Sequence, residues 1–231
     1  NVEGTPPADA LVRDAPWREI LPKTALQGDA RNAIEATHDG QLTHVRLNIF
    51  PDGGVARLRV HGEVTPDWPA LIRRGDVDLA GMENGGWVVV CSDMFFGHRQ
   101  NLILPGRSTH MGDGWETRRR RVPGNDWTVV RLGRAGSVRR VEIDTDHFKG
   151  NAPGACSISW CYAPARSAET LTASAVVEWR ELLPRTDLQP HARHCFEREL
   201  RAADRDRLPP IGTKADGGVA RLRVFGRPDG A

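Results

Sequence analysis

Lysine is nearly missing from this 231-residue chain: Lys23, Lys149 and Lys214 are the three among 32 basic residues, leaving 29 arginines. Codon bias and a demand for rigid guanidinium forks both produce such a skew, and composition does not separate them. Long apolar runs are missing too. The longest is Trp87-Val88-Val89-Val90-Cys91, far short of the ~20 residues that span a bilayer, so no transmembrane helix and no membrane partner are expected. No basic stretch followed by an apolar one opens the sequence, so no signal peptide is read. Residue 1 is Asn rather than Met, however, and a processed or truncated start would hide one. An excess of one charge is also absent. Thirty-two basic against thirty acidic residues leave +2, too balanced for a general polyanion binder, and no nucleic-acid partner is expected.

Cysteine is scarce as well. Cys91, Cys156, Cys161 and Cys195 lack the paired spacing of a zinc ribbon, and a chain of this size needs no disulfide staples. They read as reduced, mostly buried cysteines of a cytoplasmic protein. With 39% hydrophobic and 27% charged residues, the chain belongs among ordinary globular proteins.

What is present is a repeat. Trp17-Arg18-Glu19-Ile20-Leu21-Pro22-Lys23-Thr24 recurs as Trp179-Arg180-Glu181-Leu182-Leu183-Pro184-Arg185-Thr186. Asp52-Gly53-Gly54-Val55-Ala56-Arg57-Leu58-Arg59-Val60 recurs as Asp216-Gly217-Gly218-Val219-Ala220-Arg221-Leu222-Arg223-Val224. Two matches at nearly one offset are not chance. The spacing predicts the last part of a first module over 1–62, a linker over 63–75 and an essentially complete second module over 76–231. The stretch 209–215 has lost the strand pattern that its counterpart keeps.

The element signals are mostly β. Residues 43–49 alternate apolar and polar, Pro51-Asp52-Gly53-Gly54 supplies turn chemistry, and Ala56, Leu58 and Val60 resume the alternation. That pattern predicts a hairpin with one buried face. Trp87–Cys91, Trp127–Leu132, Val138–Asp144 and Ser157–Cys161 read as further strands, and His191–Arg207 is the one helical candidate of any length. Strands without interleaved helices predict an all-β sandwich or jelly roll.

Three polar groups carry candidate chemistry. In Ser92–Asn101, Phe95 and Phe96 beside Asp93, His98 and Asn101 either line a small polar pocket or plug a sandwich end. In Met111–Arg121, Gly112 and Gly114 flank Asp113 in a tight turn, and four arginines follow Glu116. On a strand those arginines alternate faces, so two at most serve one site. They suit bidentate capture of a small carboxylate, or else a solvated edge. In Val141–Asn151, Asp144 and His147 either form an orienter and base, contribute to a metal shell, or cap a strand end. His191-Ala192-Arg193-His194-Cys195 reads poorly as a metal site, because its first-copy counterpart Asp29-Ala30-Arg31-Asn32-Ala33 lacks those ligands.

These groups carry a family resemblance. Asn84-Gly85-Gly86, Cys91–Gly97, Met111–Arg121, Pro123–Trp127, Asp144–Asn151 and Thr43–Asn48 resemble the signatures of allantoicase, in that family's order. The resemblance implies two tandem jelly-roll modules of galactose-binding-like fold and a multi-subunit assembly. It also implies hydrolysis of allantoate to (S)-ureidoglycolate and urea in purine-nitrogen salvage. The chain departs from the pattern where the first module's Asp-Gly-Trp-Glu region is missing and where 209–215 is degenerate.

Allantoate has one carboxylate and two ureido groups on a single carbon. Its carboxylate calls for Arg118 or Arg119, its ureido N–H groups call for acceptors such as Asp113, Glu116 or Asn151, and Asp93 is a further substrate-binding candidate. Asp144 and His147 are the expected proton-transfer pair, with Glu116 beside them and Lys149 as an electrostatic helper. No cofactor is required by this reading, and a divalent metal stays open. A non-catalytic carbohydrate-binding jelly roll is the alternative.

Overall fold

A computed structural model describes residues 7–36, 38, 40–163, 171, 177–197, 200 and 217–230. The chain divides into two compact units, residues 1–61 and 62–231.

In the first unit, helix α1 (Ala8–Asp14) carries an Asp9–Arg13 pair one turn apart. Trp17 donates its indole N–H to Leu11 O, and the Arg46 guanidinium lies over the Trp17 ring at 4.7 Å. The expected hairpin does not form here: no described residue between 43 and 60 is in a strand, and Val45, Leu47, Ile49, Leu58 and Val60 are exposed. The reason lies in what a ladder requires. In the second unit the equivalent strand is held between two partners drawn from earlier parts of the repeat, which have no counterpart in residues 1–61. A hairpin without a third strand or a face to cover is marginal in water.

The second unit opens with helix α2 (Trp68–Arg73), inside the expected linker. Asp67 caps it by accepting from Ala70 N at 2.9 Å, and Pro69 occupies the first turn, where its missing N–H costs nothing. Among the described residues ten antiparallel strands follow. They are β1 (Val77–Asp78), β2 (Trp87–Cys91), β3 (Trp115–Glu116), β4 (Thr128–Arg131), β5 (Gly136–Asp144), β6 (Ala155–Trp160), β7 (Arg180–Asp187), β8 (Arg193–Phe196), β9 (Gly218–Val219) and β10 (Arg221–Pro228). The main sheet runs β1-β10-β5-β8, and the pairs β2-β4, β3-β9 and β6-β7 complete the unit.

Alternation decides which side chains enter the core. Val141 and Ile143 on β5 and Leu222 and Val224 on β10 point inward and meet Val88, Val130, Ile158, Leu182 and Trp115 in one apolar cluster. This is an all-β sandwich. The intervening residues carry charge on the sheet's other face, where Arg221 stands opposite Asp144, and Arg223 and Cys195 flank Glu142 on either side.

The helix expected over His191–Arg207 is a correction. Arg193–Phe196 is strand β8, paired with β5 from Val141 to Asp144, and Arg193 forms an ion pair with Glu142. A segment charged nearly all round has no apolar stripe to bury as a helix, whereas on a sheet edge its charges find partners across the ladder. The remainder of that segment falls largely outside the described residues, as do 209–215 and Asp216.

All four cysteines are free. Cys156 and Cys161 are buried, Cys91 is half-buried and Cys195 is exposed. Burial pushes the Cys156 thiol up to about 12 and that of Cys161 to about 11, so neither supplies a thiolate near neutral pH.

Candidate active site

One end of the sandwich gathers the candidate residues. Glu116 on β3 pairs with Gly218 on β9, and Gly218 N donates to Asn151 O. Ala220 N donates to Asp144 O where β5 ends. These bonds bring the segments around residues 93, 113–118, 144–151 and 218–221 to the same end.

Gly114 and, across the β3–β9 pair, Gly218 have a packing reason. Phe148 is fully buried, and a Cβ on Gly218 would fall 1.9 Å from its ring, one on Gly114 2.8 Å. The ring fills the space both glycines leave. Trp115, also buried, donates its indole N–H to Asp93 O at 2.8 Å. With Trp115 facing the core, Glu116 is turned to the other side of the strand. Its Oε1 accepts from Asn151 Nδ2 at 2.7 Å, and Asn151 Nδ2 also lies 3.6 Å from Met111 Sδ. No hydrogen-bond donor reaches Glu116 Oε2 among the described residues.

Asp93 is bound by Arg118 twice: the backbone N–H donates to Oδ2 at 2.8 Å and Nε donates to Oδ1 at 3.1 Å. Phe95 N–H adds a third bond to Oδ2 at 3.1 Å. Desolvation pushes the Asp93 carboxyl up, but the two backbone bonds and the guanidinium outweigh it and hold it below the usual carboxylate range. Arg118 keeps most of its side chain in solvent and lies over the Phe95 ring at 4.6 Å. Phe95 and Phe96 are exposed and meet edge to face at 88°, so they do not plug the sandwich end.

The arginine run follows β3 outside any ladder, yet its members still alternate. Arg118 turns to Asp93 and Arg120 turns to the buried Asp126 at 2.6 Å. Arg119 is exposed and has no ion-pair partner among the described residues, and the same holds for Lys149. His98 and Asn101 are scaffolding. His98 Nδ1 accepts from Gln100 N, and Asn101 Nδ2 donates to Gly114 O.

Asp113 is committed to the fold. Its carboxylate accepts from Thr109 N at 2.8 Å and from Arg221 Nη2 at 3.0 Å, while Arg221 Nη1 donates to Asp113 O. Desolvation raises its carboxyl, and the Thr109 and Arg221 bonds overcome that and hold it low.

Asp144 and His147 do not pair. Asp144, nearly buried at the end of β5, accepts from Asp146 N at 2.8 Å and lines a small pocket with Gly106, Arg107, Glu142, Arg193, Arg221 and Arg223. Two residues further on, the chain reverses direction. Phe148 N donates to Thr145 O at 3.0 Å, and His147 occupies the third turn position with φ 69°. That region ordinarily selects Gly or Asn. The turn carries the His147 ring away from Asp144 and towards Ser108, whose carbonyl oxygen is 3.1 Å from Nε2.

The carboxylate nearest His147 belongs to Asp146. Asp146 Oδ2 lies 3.8 Å from His147 Nε2 and accepts from Arg107 at 3.0 Å, and Asp146 Oδ1 lies 2.9 Å from His191 Nδ1. Arg107 carries no signal in the sequence, Asp146 is not among the candidate site residues read from it, and His191 enters there only as part of a poor metal-site reading. Asp146 lies in the 144–151 motif, but nothing in its spacing marks it over Asp144. No group of three or more His, Cys, Asp or Glu side chains among the described residues is arranged to hold a metal ion.

Comparison with known proteins places this chain in a family. The family model described as the allantoicase repeat matches residues 3–65 and again 77–229. A probable allantoicase from Burkholderia mallei is 48% identical over 213 residues, covering 92% of this chain and 63% of that protein. One from Pseudomonas aeruginosa is 46% identical over 92% of this chain and 64% of its own length. The crystal structure of allantoicase from Saccharomyces cerevisiae is similar with a TM-score of 0.57 at 35% identity, over 71% of this chain and 45% of that one. A second allantoicase structure gives 0.54 at 36% identity, over 65% and 43%. The chain spans slightly less than two thirds of the length of the curated relatives it matches. A repeat model matched twice over most of the sequence, on a sandwich with the same architecture, shows that this chain belongs to the allantoicase family.

Proposed function

We propose that the protein hydrolyses allantoate to (S)-ureidoglycolate and urea, as a cytoplasmic homo-oligomer in purine-nitrogen salvage. The observation that carries this reading is the allantoicase repeat over 77–229, and the pairs Asp93–Arg118 and Glu116–Asn151 within it support it.

Hydrolysis forms a C–O bond from water to the central carbon and breaks one C–N bond. The water proton must leave, and the departing urea nitrogen must gain one. His147 suits the first task. Its Nε2 faces the Ser108 carbonyl, an acceptor, so in neutral imidazole Nε2 carries the hydrogen and Nδ1 keeps the lone pair. Glu116 suits contact with the ureido groups: Asn151 holds one oxygen and leaves the other for a substrate N–H. Arg118 has its guanidinium in solvent above Phe95 and offers its free edge to the substrate carboxylate, with Arg119 beside it. Lys149, exposed on the turn after Phe148, adds positive potential for an anionic substrate.

Asp113 takes a supporting part in this reading, since its oxygens are spent on Arg221 and Thr109, while Asp144, which holds the Asp146 N–H through one oxygen, does not pair with His147. A sugar-binding role gains nothing from the site, because the two exposed phenylalanines stand edge to face and form no flat platform. The test is urea release from allantoate by the purified protein, with and without chelator. Release in both arms supports the reading without a metal, release lost to chelator adds one, and no release in either overturns it.

A further inference from the structure

Among the described residues, three that are not glycine have positive φ: Asp29, His147 and His191. His147 and His191 face each other, ring centroids 6.0 Å apart, with Asp146 bonded between them. Asp29 is the counterpart of His191 in the first repeat, with φ 49° against 53°. The left-handed turn is thus a property of the repeat, whereas the imidazole is a property of the second copy alone.

We propose that His191 is a positioning residue for His147, acting with Asp146 on the backbone of the turn; this rests on the hydrolase reading above. The His147 N–H, turned outward by its left-handed backbone, lies 2.9 Å from His191 Nδ1 and 3.1 Å from Asp146 Oδ1. His191 Nδ1 is itself 2.9 Å from that same Asp146 oxygen. The three groups form a closed triangle whose bonding depends on one proton. Neutral at Nδ1, His191 accepts from the His147 amide. Protonated there, it donates to Asp146, and the amide retains Asp146 alone.

The other charged groups around this triangle are set. Arg107 holds the far oxygen of Asp146 at 3.0 Å, and Asp144 holds the Asp146 N–H at 2.8 Å. His191 N–H donates to Phe148 O, which fixes its own loop against the turn. The protonation of His191 is therefore transmitted to the turn that aims the His147 ring at Ser108. An imidazole at 191 thus makes the bonding of this turn depend on one proton, which an asparagine there would not.

Two variants separate the parts of this claim. His191→Asn keeps an acceptor near the position of Nδ1 but cannot take a proton. His191→Ala removes both. Urea release by His191→Ala is expected to lose kcat by about tenfold or more, with KM within about twofold, because a misaimed base loses part of its 10²–10⁴-fold contribution. His191→Asn should recover most of that kcat, and the acid limb of its pH–rate profile should move relative to the wild type. Nitrogen-15 NMR of the imidazoles gives a readout independent of turnover. The wild type should show His147 protonated at Nε2, and His191→Ala should change its tautomer balance or titration. Unchanged His147 resonances in a folded His191→Ala protein, or full kcat with an unaltered pH profile, overturn the proposal. If the wild type releases no urea, the hydrolase reading falls while the NMR arm still decides the positioning claim. If His191→Ala fails to fold, His191→Asn and its pH profile decide it.

Discussion

Asn151 donates its side-chain N–H to Glu116 across 2.7 Å, tying the loop after β5 to the short strand β3. A carboxamide in that place orients the glutamate without competing for charge. Asn151→Asp would put two carboxylates at that separation, and like charges so close raise the proton affinity of one. The acid limb of the pH–rate profile should move to higher pH, with kcat at neutral pH falling about tenfold or more. Glu116→Gln should lower kcat/KM at every pH without shifting the limb. A pH profile of Asn151→Asp that overlays the wild type would remove Glu116 from the chemistry.

The pairings Glu116–Asn151 and Asp93–Arg118 join residues that were all chosen from sequence, because each sits in a dense local motif. The sandwich was legible for a similar reason: β2 matches its expected span, and β4, β5 and β6 differ from theirs by a residue or two. What sequence did not reveal is long-range. Asp146 and His191 meet because β8 packs on β5, and the register that brings 191 to 146 is written in no short window. Arg221 reaches Asp113 across 108 positions for the same reason. Residues 43–60 show the converse, since a correct period-two pattern makes no strand without a ladder to join.

Arg118 and Arg119 are adjacent in sequence and unequal in structure, and kinetics should separate them. Arg118 couples to Asp93 through Nε and the backbone and stacks on Phe95. Arg118→Lys loses the planar fork, so KM should rise about tenfold with kcat changed little. Arg119→Lys, exposed and without a protein partner among the described residues, should alter KM by less than about twofold. Equal effects at both positions would mean that the fork is not at Arg118.

Gly218→Ala tests the packing beneath the site. The new methyl would meet the fully buried Phe148 ring at 1.9 Å, so the ring or the β3–β9 pair must shift. Overpacking of this kind costs about 1–3 kcal/mol, seen as a lowered urea midpoint. Phe148→Leu should destabilise alone by leaving a void, yet combined with Gly218→Ala the loss should fall well short of the sum. Strict additivity would show that the two positions do not share the space.

Asp78 makes stability depend on pH in the direction opposite to most carboxylates. It lies buried on β1, with Oδ1 accepting from Val224 N at 2.9 Å and Ala80 N at 3.2 Å. Among the described residues Oδ2 has no hydrogen bond, and the nearest cation, Arg223 Nε, is 3.6 Å away. Desolvation outweighs the backbone bonds and the Arg223 charge and raises the carboxyl from 3.8 to about 6. The folded state therefore binds this proton more tightly than the unfolded chain does. The sign follows from linkage: where the native state holds more protons, stability falls as pH rises. Between about pH 4 and pH 6 this one group should cost the protein up to about 3 kcal/mol as it ionises, with the loss complete by neutral pH. Asp93 and Asp113, held low by their partners, act in the opposite sense, and their contribution is lost only as pH falls through and below the ordinary carboxylate range. The two effects thus occupy different windows. Urea denaturation at pH 5 and pH 7 should show the wild type gaining stability relative to Asp78→Asn on acidification. A difference between the two proteins that stays constant from pH 7 to pH 4, or that grows with pH, would mean that Asp78 is already ionised in the fold.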